Sequence, residues 1–171
     1  PLRLVGSEMC IRDRYLSYRD LLTNLYNRNY YIRLLEKSRG RCFKNIGVVY
    51  IDLNGLKQIN DEQGHEAGDS FIRRAAQQIV AVFPERTYRI GGDEFCAVIR
   101  HARSEWVEEC LRRLEYLERK YNEGKMDVPM RIAYGYAIFD EQYDKNMEET
   151  RNRADVKMYE KKRAIKAEER K

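Results

Sequence analysis

No stretch of this 171-residue chain is apolar for long enough to cross a bilayer, so the sequence offers no membrane-spanning segment. Its four cysteines, Cys10, Cys42, Cys96 and Cys110, form no Cys-x-x-Cys pair and no zinc-ligand spacing. That pattern excludes a cysteine-built zinc site and predicts reduced thiols in a cytoplasmic protein. Internal repeats are absent, and the only biased tract is the charged C-terminal end. An excess of one charge is scarce too: 33 Lys and Arg stand against 28 Asp and Glu, a net charge of +5. The two signs are interleaved, which reads as a solvated mixed-charge surface. With no reading helix and no aromatic platform, nucleic-acid binding is not expected. The small positive excess suits an anionic ligand of modest size.

What is present is ample for one globular domain: 43% of residues are apolar and 36% charged. The chain opens on Pro1, and Leu4-Val-Gly-Ser-Glu-Met-Cys-Ile-Arg-Asp-Arg14 reads as translated sequencing-adapter sequence. Residues 1–14 are therefore set aside from fold reasoning, against the alternative of a linker helix, and residues 15–171 are taken as the domain.

Apolar periodicity predicts a helix over Tyr26 to Lys37, closed by Gly40. Ile46 to Ile51 is a continuous apolar run ending at Asp52, a buried central strand with a carboxylate at its C-terminal end. Asn54-Gly55 then turns the chain. Helices are predicted over Glu66 to Phe83 and Glu105 to Tyr121, a strand over Met130 to Phe139, and a basic helix from Met147 to about Lys166. Between the two middle helices, Arg86–Ile90 and Phe95–Ile99 flank Gly91-Gly92-Asp93-Glu94, a strand–turn–strand with acid at its apex. This order predicts an α/β sandwich: a central mixed, mainly antiparallel five-stranded sheet flanked by helices.

The chemistry concentrates in two places. Asp52 and Asp93 would meet at one sheet edge if their strands are neighbours, and paired acids there suit one or two Mg²⁺ ions. Either Asp alone would more often be a turn former; the pair on a double-glycine turn tips the reading towards a metal site. The segment from Asp52 to Asp69 adds groups that handle a nucleotide. Gly55 lets backbone amides approach phosphates, Lys57 offers a point charge, and Asn60 and Asp69 can read a purine edge. The paired N–H donors that an Asp accepts are present on guanine and missing from adenine. Against these stand a solvated Lys57, a turn-forming Asn60 and an Asp69 that merely caps a helix.

Five segments in order then resemble the GGDEF domain family of diguanylate cyclases. They are Asp20-Leu-Leu-Thr-Asn-Leu-Tyr-Asn-Arg28, Ile51-Asp-Leu-Asn-Gly-Leu-Lys-Gln-Ile-Asn-Asp61, Gly64-His-Glu-Ala-Gly-Asp69, Arg89-Ile-Gly-Gly-Asp-Glu-Phe95 and Arg153-Ala-Asp-Val-Lys-Met-Tyr-Glu-Lys-Lys162. The resemblance implies a fold like the polymerase palm and the nucleotide cyclase catalytic domain, and the condensation of two GTP into cyclic di-GMP and two pyrophosphates. By position it implies Asp52, Asp93 and the Leu53 carbonyl as Mg²⁺ ligands, with Mn²⁺ as an alternative. Glu94 would assist the second ion or deprotonate the 3′-hydroxyl. Lys57 would stabilise departing pyrophosphate, Asn60 and Asp69 would hold guanine, and Lys162 and Lys166 would reach the terminal phosphates. Gly91 and Gly92 would admit the substrate to the hairpin. It further implies catalysis by a homodimer of facing domains, and an upstream sensor or regulatory domain that could tether the protein to a membrane. The alternative is a catalytically silent module that binds GTP or cyclic di-GMP and signals through a partner.

The chain departs from the family pattern at several positions. Asn24 replaces a usual Gly, Asn54 a common Asp, Leu56 a common Phe and Ile90 an aromatic, and the last helix reads Arg163-Ala-Ile-Lys166. Many members carry an inhibitory product site, Arg-x-x-Asp, upstream of the hairpin; Val82-Phe-Pro-Glu85 stands here, so that brake is expected to be missing.

Overall fold

The structure, a computed structural model, describes residues 17–39, 45–124 and 128–168. Within them the chain runs β1 (Tyr26–Asn27), α1 (Arg28–Ser38), β2 (Gly47–Asn54), α2 (Leu56–Gln63), α3 (His65–Val82), β3 (Thr87–Arg89), β4 (Glu94–Ile99), α4 (Ser104–Asn122), β5 (Arg131–Ile138) and α5 (Met147–Glu168). The strands form one sheet in the order β1-β3-β4-β2-β5. Only the β1–β3 pair is parallel; the other three pairs are antiparallel. The mixed, mainly antiparallel sheet read from the sequence is therefore the one observed.

Helices cover both faces of β2, which is why that strand is an unbroken apolar run rather than an alternating one. Alternate residues still face opposite ways. Val49, Ile51 and Leu53 join Phe95, Ala97 and Ile99 in a core with α3 and α4 residues such as Phe71, Ile79, Val107 and Leu114. Val48 and Tyr50 join Cys96, Val98, Ala133 and Ala137 under Tyr31 of α1 and Met147, Ala154 and Met158 of α5. Cys96 and Cys110 are free thiols.

Three details differ from the sequence reading, and one departure from the family pattern finds its reason. Helix α1 begins two residues late because the Asn27 side chain accepts the Tyr30 backbone N–H and caps it. The freed Tyr26–Asn27 pair becomes a short edge strand against Tyr88–Arg89. Asn24, with φ 58°, takes the left-handed conformation that a glycine would otherwise fill, which an asparagine tolerates. Finally, Leu56–Gln63, to which the sequence reading assigns no element, is a helix. Gly55 at φ 90° turns the chain sharply from β2 into it. Gly40, the segment 1–14, Cys10 and Cys42 lie outside the described residues.

Candidate active site

Strands β2 and β4 are neighbours, as the paired-acid reading requires, but the register is not the expected one. The residue opposite Asp52 is Glu94. Asp93 sits one residue before β4, and its carbonyl accepts the Leu53 N–H at 2.9 Å, locking the two backbones together. Nor does β2 stop at Asp52: Leu53 and Asn54 continue the ladder opposite Ile132 and Arg131. Asp52 is consequently inside the strand and only 3% exposed. One of its oxygens, Oδ2, accepts from Lys162 Nζ at 2.7 Å. The other, Oδ1, is buried and has no hydrogen-bond partner among the described residues. Burial raises the Asp52 carboxyl above its ordinary range; Lys162 opposes this and Asp93 adds to it. Glu94 is raised as well, first by burial, then by the charges of Asp52, Asp93 and Asp155.

A buried carboxylate oxygen with no partner among the described residues fits a positive or hydrogen-bonding ligand. No group of three His, Cys, Asp or Glu converges into a metal cage among the described residues. Magnesium does not require one, because it is commonly held through one or two carboxylates together with substrate phosphates. The donor set of Asp52 and Asp93 fits that mode.

The hairpin is tight for reasons other than those expected of its glycines. Neither Gly91 nor Gly92 has a positive φ; Gly55 and Gly64 are the described glycines that do. Gly91 leaves room for the Glu94 side chain: a Cβ there would stand 2.6 Å from Glu94 Oε2 and 3.2 Å from its Cβ, so the glutamate tip would have to move. At Gly92 a Cβ would meet nothing within 4 Å, so the tip is open. The Ile90 and Gly91 N–H groups both donate to the Glu94 carbonyl, at 2.9 and 3.2 Å. Arg89 then clamps the tip. Its guanidinium donates to the Gly92 carbonyl at 2.8 and 3.2 Å and to both Asp20 oxygens at 3.1 and 3.2 Å. Burial works to raise Asp20, but hydrogen bonds from Thr23 and Arg89 outweigh it and hold the carboxyl below its usual range. Asp20-x-x-Thr23 is legible as a local turn, since the Thr23 N–H and hydroxyl both donate to Asp20 Oδ1. Its second role, anchoring an arginine 69 residues away, has no local signal.

A cleft of about 740 Å³ opens beside this edge. Leu53, Lys57, Asp93, Lys162 and Lys166 line it, so four of the expected charged groups converge on one space. Glu94 and Gly91 instead line a separate cavity of about 390 Å³, with Tyr50 and Arg151. Asn60 and Asp69 lie off the cleft, at the α2–α3 corner. Asn60 packs so close to Gly68 that a Cβ there would come within 1.9 Å of its Oδ1. Asp69 follows Gly68, exposed, in the second turn of α3. It is not a cap, because Gly64 holds that position. Near the hairpin's upstream end, Val82 is 5% exposed in the core, and Glu85 pairs with Arg100 at 3.3 Å. Among the described residues no helix is long and apolar enough to cross a membrane.

Comparison with known proteins bears on the family and the fold. Residues 17–168 match the family described as diguanylate cyclase, GGDEF domain. The chain is 29% identical over 131 residues to the diguanylate cyclase DosC of Escherichia coli K12, matching 70% of this chain and 28% of that protein. It is 30% identical over 131 residues to the cyclic di-GMP phosphodiesterase PdeR of the same strain, matching 74% of this chain and 20% of PdeR. The chain thus spans less than a third of either relative. Among solved structures, the coiled coil and GGDEF domain of DgcB from Caulobacter crescentus, in complex with c-di-GMP, superposes with a TM-score of 0.80 at 23% identity. That superposition covers 92% of this chain and 87% of the DgcB chain.

Proposed function

This chain belongs to the GGDEF family of diguanylate cyclase domains, and from that premise we propose that it is an active cyclase, condensing two GTP into cyclic di-GMP and two pyrophosphates where two copies of the domain face each other. The observation that carries the reading is the Asp52–Asp93 edge, with its unpartnered buried carboxylate oxygen beside a cleft lined by Lys57, Lys162 and Lys166.

Each domain holds one nucleotide. Lys57, Lys162 and Lys166 bind its phosphates, and Asn60 and Asp69 hold guanine at the α2–α3 corner. Asp52, Asp93 and the Leu53 carbonyl are the groups that would hold Mg²⁺, or Mn²⁺ in its place. When bound, the ion supplies Lewis-acid polarisation of the phosphoryl oxygens. Glu94, next to Asp93 and opposite Asp52 in the ladder, takes the proton of the 3′-hydroxyl or assists a second ion. The 3′-oxygen forms a bond to the α-phosphorus of the facing nucleotide, the bond to pyrophosphate breaks, and the lysines stabilise the departing charge. The same exchange in the opposite sense closes the ring. One domain cannot complete it, because the two reacting groups reside on different nucleotides held by different copies.

The reading is tested by incubating the protein with GTP and Mg²⁺ and resolving the nucleotides by chromatography. A coiled-coil fusion that forces pairing serves as the control for an unpaired domain. Cyclic di-GMP that disappears in Asp93→Ala supports it. The second reading, a silent nucleotide-binding module, is favoured by the match to PdeR, whose own activity carries a different name; GTP bound without turnover in the fused dimer would establish it.

Two predictions attach to this reading. Asp69→Ser removes the acceptor for guanine's paired donors and is expected to reduce the preference for GTP over ATP by about two orders of magnitude, as loss of a bidentate charged contact does. Competition between the two nucleotides in the same assay measures it, and an unchanged ratio rules out the assigned role. The second concerns the brake. Val82 stands where the brake's Arg would be and Glu85 where its Asp would be, so this chain offers no guanidinium at the first position of that site. Titrating cyclic di-GMP into steady-state turnover is expected to show no noncompetitive inhibition at low micromolar product.

A further inference from the structure

Lys162 has two claims on it. It lines the cleft with Lys57 and Lys166, one turn before Lys166 on α5. Yet its ammonium is not directed at open cleft; it lies 2.7 Å from Asp52 Oδ2. The Lys162 side chain is 24% exposed and that of Asp52 5%, so the contact sits at the cleft floor with the lysine as its solvent-facing member. An ammonium in contact with a carboxylate repels a second cation brought to the same group, and the repulsion is weakly screened at a buried site. The rest of the donor set is thin, since among the described residues no third acidic, His or Cys side chain joins Asp52 and Asp93 in a cage. A divalent ion arriving alone therefore meets a carboxylate already compensated and too few other ligands. One arriving with a triphosphate brings oxygen ligands of its own and offers Lys162 a better anion close by.

We propose that Lys162 is a tethered counter-ion. It holds Asp52 in the nucleotide-free domain and passes to the phosphates when the metal–nucleotide complex enters, so that free divalent metal is kept off the site. The inference rests on the reading of the cleft as a metal–nucleotide site, and it adds an order of events: the metal enters with the nucleotide. Lys166 also places positive charge near Asp52, but among the described residues the ion pair with its carboxylate is made by Lys162.

The test is Mn²⁺ bound by the full chain at equilibrium dialysis, with and without a non-hydrolysable GTP analogue present on both sides of the membrane, counted as the excess Mn²⁺ on the protein side. Wild type is expected to bind Mn²⁺ weakly alone and tightly with the analogue. Lys162→Gln is expected to bind nucleotide-free Mn²⁺ on the order of tenfold more tightly, as removal of one adjacent positive charge predicts. Lys162→Arg, which keeps the charge, is expected to behave as wild type. Lys162→Met carries the same expectation as the amide variant should that one fold poorly. Equal free-metal affinity in wild type and in the neutral variants overturns the counter-ion role while leaving the cleft's function standing. Failure of wild type to bind Mn²⁺ even with the analogue overturns the functional reading beneath it.

Discussion

Replacing Asp52 with Asn is expected to lower the rate of cyclic di-GMP formation by about three orders of magnitude or more, while leaving the melting temperature unchanged or higher. The first half follows from chemistry: a carboxylate that holds a Lewis-acid ion contributes several kcal/mol of transition-state stabilisation, and each 1.36 kcal/mol is about tenfold in rate. The second half follows from burial. Asp52 is 3% exposed, one of its oxygens has no partner among the described residues, and Glu94 stands opposite it in the ladder. Its carboxyl is raised in the folded state, so across that interval the folded chain binds more protons than the unfolded one, and stability falls as pH rises through it. At neutral pH the ionised group therefore opposes folding, and a neutral amide of the same shape removes that cost. Lys162, left without its partner, is exposed enough to turn to solvent. Parallel activity and thermal-melt measurements check both halves. Retained turnover, or a loss of turnover matched by a loss of stability, would show that Asp52 is a structural residue.

Arg89→Ala carries the second large effect, and it reaches the site without touching substrate. Arg89 joins the Gly92 carbonyl to Asp20, and so ties the hairpin tip to the turn that precedes β1. The ion pair is largely sheltered, with side chains 13% and 22% exposed, so its removal is felt more than that of a surface pair. Without it the tip that carries Asp93 is held only by the Leu53 contact and the Glu94 carbonyl. Misplacement of a reacting group by about 1 Å can cost on the order of 10²-fold. The expectation is a fall of that size in kcat with KM for GTP changed less than about threefold, since Lys57, Lys162 and Lys166, proposed to bind phosphate, stand on α2 and α5. Arg89→Lys keeps the charge but lacks the fork that reaches both partners, and is expected to recover only part of the loss. A change confined to KM would place Arg89 in binding and not in positioning.

These two residues mark where sequence reading succeeds and where it ends. Asp52 was legible because it interrupts an apolar run, and the run itself announces a strand covered on both faces. The hairpin was legible from its glycines and flanks, although not the setting of the glycines: Gly91 lies against the Glu94 side chain, and neither glycine has a left-handed φ. Register lies beyond any local pattern. Nothing in the residues says that Glu94, one position past Asp93, pairs with Asp52, and the difference depends on where the turn ends. Helix α2 escaped because only Ile59 among its eight residues is buried, too few to trace a stripe. The two-residue β1 is set by its pairing, with Tyr88–Arg89 on one side and Arg19 on the other. Lys162 was placed near phosphates by family resemblance, while its contact with Asp52 spans 110 residues of sequence and follows from how α5 lies on β5 and β2. Periodicity reports which face is buried; it does not report which polar tips meet once the faces are packed.

The most direct test of the account is the dependence of the initial rate of cyclic di-GMP formation on protein concentration at saturating GTP and Mg²⁺. If each domain holds one nucleotide and the bond forms between facing copies, the rate rises with the square of concentration while the domains are mostly unpaired. It becomes linear when pairing saturates or is forced by a coiled-coil fusion. Product formed in strict proportion to protein at every concentration, with the unfused chain monomeric, would contradict the two-domain mechanism, and no product from the fused dimer would contradict the cyclase itself.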